Sequence, residues 1–249
     1  MMADPSPSAS PGLFGDGRVC GPDGAPLRPG GLELTEALLD RADFADGALV
    51  VDVGCGQGGS VATLLRRGLV GVGVDRARAT IERARDRHSN AVFVLGEADA
   101  LPFATAGVDG LLAECSLSTM PDRRRVLAEW FRVLRPGGRL AISDVYRRAG
   151  EAESEVWIGD FAPFATWRRI ADDLTSVGFR VEWFEDRSEV LADWVARFVF
   201  ANGSLEALWG GSCGLTAEAV RAARPGYYLA GPDRPAVATA DVAVEEMNA

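Results

Sequence analysis

The stretch VDVGCGQGG, residues 51–59, completes a short apolar run that begins at residue 48. A valine-rich run of this length predicts a buried strand. The glycines after it allow a sharp turn and a close approach to a ligand, because a Cβ atom would intrude there. The spacing of Gly54, Gly56 and Gly59 also satisfies the GxGxxG pattern of a dinucleotide site, which is a weak signal by itself. The stretch therefore predicts a strand, a ligand-binding turn and the start of a helix.

Strand and helix patterns alternate on both sides of this turn. Repeated β-α-β units imply a mainly parallel sheet with helices on both faces and ligand sites at the carboxyl ends of the strands. We therefore predict an α/β fold with a Rossmann-like, doubly wound, seven-stranded sheet. The predicted strands are 48–53, 70–74, 91–95, 108–115, 140–145, 180–184 and 227–230. The first predicted helix starts at residue 32, and the others span 60–67, 76–87, 122–134, 166–177 and 190–200. The helix at 122–134 is expected to be stopped by Pro136-Gly137-Gly138.

Composition limits the possible chemistry. The 249 residues carry 26 basic and 36 acidic side chains, a formal net charge of −10. This charge repels phosphate backbones and anionic lipid, so neither nucleic acid nor a membrane surface is an expected partner. All the basic residues are arginines, and His88, expected in a solvated loop, is the only histidine. A lysine Schiff base, a phosphate-loop lysine and a zinc site of paired histidines are excluded, and no metal is predicted.

The cysteines and the N-terminus indicate the compartment. Cys20, Cys55, Cys115 and Cys213 form no CxxC pair, so neither a zinc ribbon nor a thioredoxin-type motif is available. The first residues lack the features of a signal peptide, and no apolar run is long enough to span a membrane. We expect a cytoplasmic protein with reduced thiols, either a monomer or a homodimer.

The chain is expected to divide into an arm, a domain and a tail. Residues 1–30 are rich in Pro, Ser and Gly without apolar periodicity, which predicts a mobile arm or a lid. The domain is predicted at 31–230, with a cofactor-binding half, 31–146, and a substrate-side half, 147–230. The acidic segment 231–249 is predicted to be a flexible tail.

Two further features narrow the kind of ligand that this turn is expected to bind. Asp75 ends the second predicted strand, 21 residues after Gly54, where a carboxylate can accept hydrogen bonds from both hydroxyls of a ribose. An NAD site and any other adenosine site share this expectation. The segments that distinguish between these kinds of adenosine site are GEADALPF at 96–103 and LRPGGRL at 134–140.

With these segments the chain resembles the class I S-adenosylmethionine-dependent methyltransferases over roughly residues 32–146. The resemblance implies S-adenosylmethionine as the cofactor, with Glu97 standing where the family more often has Asp. The cofactor-binding residues that it implies are Asp52, Gly54, Cys55, Gly56 and Gly58 on the methionine side, Asp75 with Arg76 at the ribose, Glu97 and Ala98 at the adenine, and Glu114 as an acceptor for the ammonium group.

The residues after the fourth strand are expected to face the transferred methyl group. They read ECSLS from Glu114 and lack the Asp/Asn-Pro-Pro-aromatic sequence of nucleobase methyltransferases, so a small-molecule acceptor is expected. The segment that follows is similar to arsenite methyltransferases, which implies that Cys115 binds trivalent arsenic or a thiol. That family also has a Cys soon after strand five, and 145–164 contains none. Cys20 and Cys213 could supply the missing thiols only if their loops fold over the cleft.

Other interpretations stay open. Cys115 could be a buried strand-end residue, and the acceptor could be an oxygen, nitrogen or carbon acid of a natural product or quinone-like molecule. Glu114 and Asp144 are then the candidate bases, because both end strands on the cofactor side. Trp157, together with neighbouring aromatic residues, could wall an acceptor pocket.

Two further classes are also compatible with the sequence: a non-catalytic regulator that binds S-adenosylmethionine, and an NAD-dependent oxidoreductase. The arginine run 123–125 is expected to be a solvated helix face.

Overall fold

The computed structural model describes residues 28–148, 156–158, 161–204 and 224–236. The helices in this part of the chain are α1 (Gly31–Ala42), α2 (Gly59–Arg66), α3 (Arg78–Arg87), α4 (Arg123–Val133), α5 (Trp167–Ser176) and α6 (Ser188–Asn202). The strands are β1 (Leu49–Val53), β2 (Val70–Asp75), β3 (Val92–Leu95), β4 (Val108–Glu114), β5 (Leu134–Arg147), β6 (Val156–Ile158), β7 (Phe161–Phe164), β8 (Arg180–Asp186) and β9 (Pro225–Asp233). A 3-10 turn, Leu117–Thr119, follows β4.

The main sheet has seven strands, as predicted, and their order is β3-β2-β1-β4-β5-β9-β8. The first five strands are parallel, and β9 runs antiparallel to both β5 and β8. The order reverses beside β1: the neighbouring strands β1 and β4 pair in parallel, but the helices that follow them, α2 and α4, pack on opposite faces of the sheet. Such a sheet binds ligands in the crevice at the carboxyl ends of these two strands. Strands β6 and β7 form a separate antiparallel pair between β5 and α5.

Buried side chains cover both faces of the sheet. On one face, α4 and α5 pack through Leu127, Trp130 and Leu174, all with no exposed surface. On the other face, α1 contributes Leu38, and α2 and α6 join the same apolar cluster. The helices repeat apolar residues every three or four positions, and burying those faces fixes them across the strands.

Three predicted boundaries were wrong. The segment Pro136-Gly137-Gly138 lies inside β5, because Leu134 already pairs with Val108 before the register shifts. Strand β9 continues to Asp233 and pairs with β8, so the first residues of the predicted tail belong to the sheet. Arg28 is packed against the domain, although it was predicted to lie in the arm. Short-range patterns did not reveal these long-range pairings.

Two polar predictions were also only partly right. The side chains of Arg124 and Arg125 are more than half exposed, as expected, whereas that of Arg123 is 15% exposed and ion-paired with Asp173. His88 ends α3 and is half-buried, with its ring centre 6.4 Å from that of Phe93. In the described ranges, no helix combines the length and the hydrophobicity needed to cross a membrane.

Candidate active site

The glycine turn is fixed to the neighbouring strand by its own backbone. The amides of Gly54 and Cys55 both donate to the carbonyl of Val74, at 2.8 and 3.0 Å. Gly54 has φ +78°, and a Cβ atom there would lie 2.6 Å from the Cβ of Ser116. Only glycine combines this conformation with this approach. The sharp turn at the end of β1 is therefore set by packing against the loop after β4.

Gly56 differs from the other glycines of the turn because nothing lies within 4 Å of the position its Cβ would take. Its φ is +53°, and its amide donates to the Asp75 carboxylate at 3.1 Å. Gly58, by contrast, has φ +86° and would bring a Cβ within 2.5 Å of Phe93. Open space in the turn is therefore found beside Gly56, whereas Gly58 is required by internal packing.

The Cys55 side chain does not face the crevice. It is buried in an apolar cluster with Val61, Ile81 and Phe93, beneath the turn. Burial raises the pKa of its thiol well above the usual value. Among the residues predicted to bind the cofactor, Cys55 can therefore contribute only its backbone.

Asp52, at the end of β1, is a buried carboxylate with an incomplete set of partners. It is 2% exposed, and its Oδ2 accepts no hydrogen bond within the described residues. Burial, and then the nearby Glu114, raise the pKa of Asp52 to about 8. Such a carboxylate gains stability from a cationic or hydrogen-donating ligand.

Glu114, at the end of β4, is held by donors from α1, from α2 and from Arg28, which precedes α1. Its carboxylate accepts the Thr35 hydroxyl of α1 at 3.0 Å and the Ser60 hydroxyl of α2 at 2.7 Å. The Arg28 guanidinium lies 3.2 Å from Glu114 Oε1. Glu114 is therefore committed to an ion pair and to hydroxyl donors. This setting suits an anchor for a cation better than a general base.

Arg28 is a residue of the site that was not predicted from the sequence. Its Nη1 donates to the Ser60 hydroxyl at 2.8 Å, and its Nη2 donates to Thr35. Burial alone would lower the pKa of Arg28, but Glu114 and other acidic neighbours raise it above its usual value, so the guanidinium stays charged. Nothing in the Pro- and Gly-rich residues around it signalled this role, because the contact joins residues 86 positions apart.

The predicted ribose and adenine residues lie at the ends of β2 and β3. Asp75 accepts the amides of Gly56 and, at 2.8 Å, of Ala77, so it orders the glycine turn and the entry to α3. Burial raises its pKa. Glu97 is exposed, and the carbonyl of half-buried Ala98 accepts the indole N–H of Trp130 at 3.1 Å.

Arg76, the neighbour of Asp75, is exposed. The side chains of Asp75, Arg76 and Glu97 lie at the ends of β2 and β3. Within the described residues, no hydrogen bond or ion pair joins one of these side chains to another.

Cys115 lies directly after β4 with φ +52°. Its Sγ is 2.9 Å from the Tyr227 hydroxyl, which donates to Ser143 Oγ at 3.2 Å. Ser143 in turn points its hydroxyl at Glu114, 3.5 Å away. Burial, and then the charge of Asp144, raise the pKa of the Cys115 thiol well above its usual value. The hydrogen bonds thus run from Cys115 through Tyr227 and Ser143 to Glu114, and in this series Cys115 is a neutral S–H donor.

The other predicted thiols lie outside the described residues. These are Cys20 and Cys213, and the side chain of Trp157 is likewise outside them. Among the neighbouring aromatic residues that could have walled an acceptor pocket, Trp167 instead stacks on Phe184 with ring centres 4.3 Å apart and packs against the core.

Asp144, in β5, is the second predicted base. It is 1% exposed and accepts the amide of Ser118 at 2.8 Å and its hydroxyl at 2.6 Å. Burial raises the pKa of Asp144 to about 6, while the bonds from Ser118 act in the opposite direction. The carboxylate is therefore mostly ionised at neutral pH and close to the midpoint of its titration, which suits a general base. The sequence placed Ser118 in the segment ECSLS after the fourth predicted strand, but did not indicate its contact with Asp144.

The arrangement fits a nucleoside cofactor that carries an amino acid. The unsatisfied oxygen of Asp52 and the buried Glu114 suit an ammonium group, the space beside Gly56 admits a ligand, and Asp75 stands where a ribose is expected. It does not fit a metal ion: within the described part of the chain, no group of three or more His, Cys, Asp or Glu side chains could hold one.

The comparisons with known proteins agree with this geometry. A family model described as a methyltransferase domain matches residues 51–142. The methyltransferase GfsG of Streptomyces halstedii is 42% identical over 130 residues, 49% of this chain and 47% of GfsG. The O-methyltransferase rstn1 of Aspergillus nomiae is 37% identical over 165 residues, 61% of this chain and 73% of rstn1.

An arsenite methyltransferase of Halobacterium salinarum is 31% identical over 173 residues, 62% of this chain and 44% of that enzyme. The chain thus matches about half the length of GfsG and of the arsenite enzyme. Among solved structures, the cyclase SpnF superposes with a TM-score of 0.70 at 22% identity, covering 82% of each chain. That likeness concerns the fold.

The chain belongs to the class I S-adenosylmethionine-dependent methyltransferases. The family resemblance predicted from the glycine turn and its two companion segments is confirmed. The glycine spacing is therefore that of a methyltransferase turn, and the NAD-dependent oxidoreductase is set aside.

Proposed function

We propose that the protein transfers a methyl group from S-adenosylmethionine to a hydroxyl oxygen of a small molecule, with Asp144 as the general base. The observation that carries this proposal is the contrast between two neighbouring groups at the carboxyl edge of the sheet. Asp144 is a buried carboxylate with a pKa of about 6, whereas the Cys115 thiol is hydrogen-bonded and neutral. The first suits removal of a hydroxyl proton, and the second does not suit a thiolate ligand.

This chain's own residues would hold the cofactor in the crevice between β1 and β4. Asp52 and Glu114 accept the ammonium group, the backbone around Gly56 lines the methionine moiety, and Asp75 accepts from the ribose. When bound, S-adenosylmethionine supplies a sulfonium methyl group, whose carbon–sulfur bond breaks as the carbon–oxygen bond forms.

Asp144 then acts on the acceptor. Its carboxylate accepts the hydroxyl proton and later releases it to solvent, and the Ser118 hydroxyl and amide keep the carboxylate oriented while it is charged. Positioning the acceptor and excluding water supply most of the remaining rate enhancement. A positioned base typically contributes about 10²- to 10⁴-fold.

A trivalent arsenical is the second candidate. It is supported by the similarity to an arsenite methyltransferase and by the position of Cys115 after β4. The hydrogen bond to Tyr227 and the raised thiol pKa count against it, because arsenic(III) binds thiolates. The name of rstn1 favours an oxygen acceptor.

The test measures S-adenosylhomocysteine formation with a panel of hydroxylated small molecules and with arsenite. We expect turnover of a hydroxyl acceptor, a loss of about 10²-fold or more in kcat for Asp144→Asn, and near wild-type kcat for Cys115→Ser. Turnover of arsenite that disappears in Cys115→Ser would replace the oxygen acceptor by the arsenical. Calorimetric binding of S-adenosylmethionine without turnover of any acceptor would favour a regulator.

A further inference from the structure

Arginines crowd the first turns of α4 and α5. Helix α4 starts with Arg123, Arg124 and Arg125, and α5 has Arg168 and Arg169 in its first turn, while neither first turn holds an acidic residue. Cations at a helix N-terminus oppose the helix dipole, so these positions do not stabilise the helices. In a chain with a net charge of −10, such a cluster calls for another explanation.

Three of these arginines form ion pairs with one buried carboxylate, that of Asp173. Arg123 binds Asp173 Oδ2 through Nε and Nη2, at 2.9 and 2.7 Å. The Nε atoms of Arg124 and Arg169 lie 2.7 and 3.5 Å from Asp173 Oδ1. Asp173 is 2% exposed, so it is enclosed by three positive charges. One carboxylate neutralises only one of them.

The positive charge left over faces outward. The side chains of Arg124 and Arg169 are 56% and 54% exposed, and the atom that each places beside Asp173 is Nε, the nitrogen nearest the chain. Their terminal nitrogens are thus available for an incoming oxyanion, to which a guanidinium can donate two parallel hydrogen bonds. Of the other nearby acids, Asp122 caps α4 by accepting the amide of Arg125, and Asp99 pairs with the Arg125 guanidinium.

This cluster adjoins the proposed base. Arg123 lines a small cavity of about 10 Å³ together with Ser118, Asp144 and Tyr228. Both helices begin at the carboxyl edge of the sheet, where the acceptor must lie. A negatively charged acceptor would be repelled by Asp144 unless cations compensated for it nearby, and the excess arginines provide that compensation.

We propose that the methyl acceptor is an anionic small molecule whose carboxylate or phosphate binds Arg124 and Arg169, with Arg123 behind them. This inference rests on the proposed function for the reacting hydroxyl, which lies next to Asp144. The arginines bind and orient the acceptor and take no part in bond making.

The first test does not depend on methyl transfer. Nitrogen NMR of the arginine Nε–H groups would follow a titration with inorganic phosphate, with chloride at equal ionic strength as the reference. We expect saturable shifts at Arg124 and Arg169 in wild type, and at least tenfold weaker phosphate binding in the double variant Arg124→Gln/Arg169→Gln. In that variant Arg123 still pairs with Asp173, so the buried carboxylate keeps a counter-ion. Arg197→Gln, which removes one positive charge from the exposed face of α6, should bind phosphate like wild type.

Shifts equal to those in chloride, or phosphate binding that survives in the double variant, would overturn the anion site. The second test compares a hydroxylated aromatic carboxylic acid with its uncharged primary amide as acceptors. The double variant should raise KM for the acid about tenfold and leave KM for the amide unchanged. Equal effects on both would refute an acceptor subsite. Phosphate binding as expected without turnover of either compound would overturn the proposed function and not the anion site.

Discussion

Asp52→Asn should change how stability depends on pH in the protein without cofactor. In the folded chain the pKa of Asp52 is raised from 3.8 to about 8, first by burial and then by Glu114. Below about pH 4 the carboxyl group is protonated in both the folded and the unfolded chain. Between about pH 4 and pH 8 the unfolded chain releases this proton while the folded chain keeps it. Asp52 therefore lowers the free energy of unfolding progressively over that range, and its effect is constant above it.

The size of the effect follows from the shift. About four pKa units correspond to an upper limit of about 5 kcal/mol between pH 4 and pH 8, and most of it falls between about pH 5 and pH 8. Asn does not titrate, so Asp52→Asn should lose this part of the pH dependence. A fixed cost of about 1–3 kcal/mol from the buried amide would move the whole curve without changing its slope.

The assay is urea unfolding of wild type and Asp52→Asn at several pH values from about 5 to 8. Asp75 and Asp144 also have raised pKa values, but they titrate in both proteins and cancel in the comparison. We expect the free energy of unfolding of the variant to increase relative to that of wild type by several kcal/mol as the pH rises to about 8. Parallel curves would refute the assignment of Asp52 as a buried, protonated carboxyl group that awaits a cation.

Three further substitutions test other parts of the site. Ser118→Ala removes a donor to Asp144 and should raise its pKa from about 6 by about one unit, so kcat/KM should fall about fivefold near pH 6 and little near pH 8; an equal loss at both values would contradict this. Arg28→Met leaves Glu114 without its ion pair and should lower the free energy of unfolding by about 2–3 kcal/mol in urea, with much of the loss recovered when Glu114→Gln is added. Gly56→Ala should cost only about 1 kcal/mol of stability from its positive φ, yet weaken calorimetric cofactor binding at least tenfold, because the methyl group projects into open space; unchanged binding would place the cofactor elsewhere.

The position of Cys115 shows why the acceptor was hard to predict. Its place after β4 suggested a thiolate, but the nature of a thiol depends on what surrounds it. Tyr227, 112 residues further along the chain, supplies the hydrogen-bond partner, and burial keeps the thiol neutral. A carboxylate next to it, Asp144, is shifted toward neutrality by the same burial but remains ionised near pH 7.

The sequence by itself determined the order of strands and helices, the glycine turn and the placing of Asp52 and Asp75 at strand ends. These features depend on hydrophobic periodicity and on local backbone conformation, which neighbouring residues encode. The class of protein followed from the same local segments.

Only the tertiary structure decided which residues of the site contact one another. It brought Arg28 and Thr35 to Glu114, Ser118 to Asp144, and arginines from two helices to Asp173. Apart from Arg169 and Asp173, which are four residues apart in α5, these contacts join residues far apart in the chain, and burial then sets their charge states. Hydrogen bonds and desolvation act through space, so no local pattern in the sequence could have specified the long-range contacts.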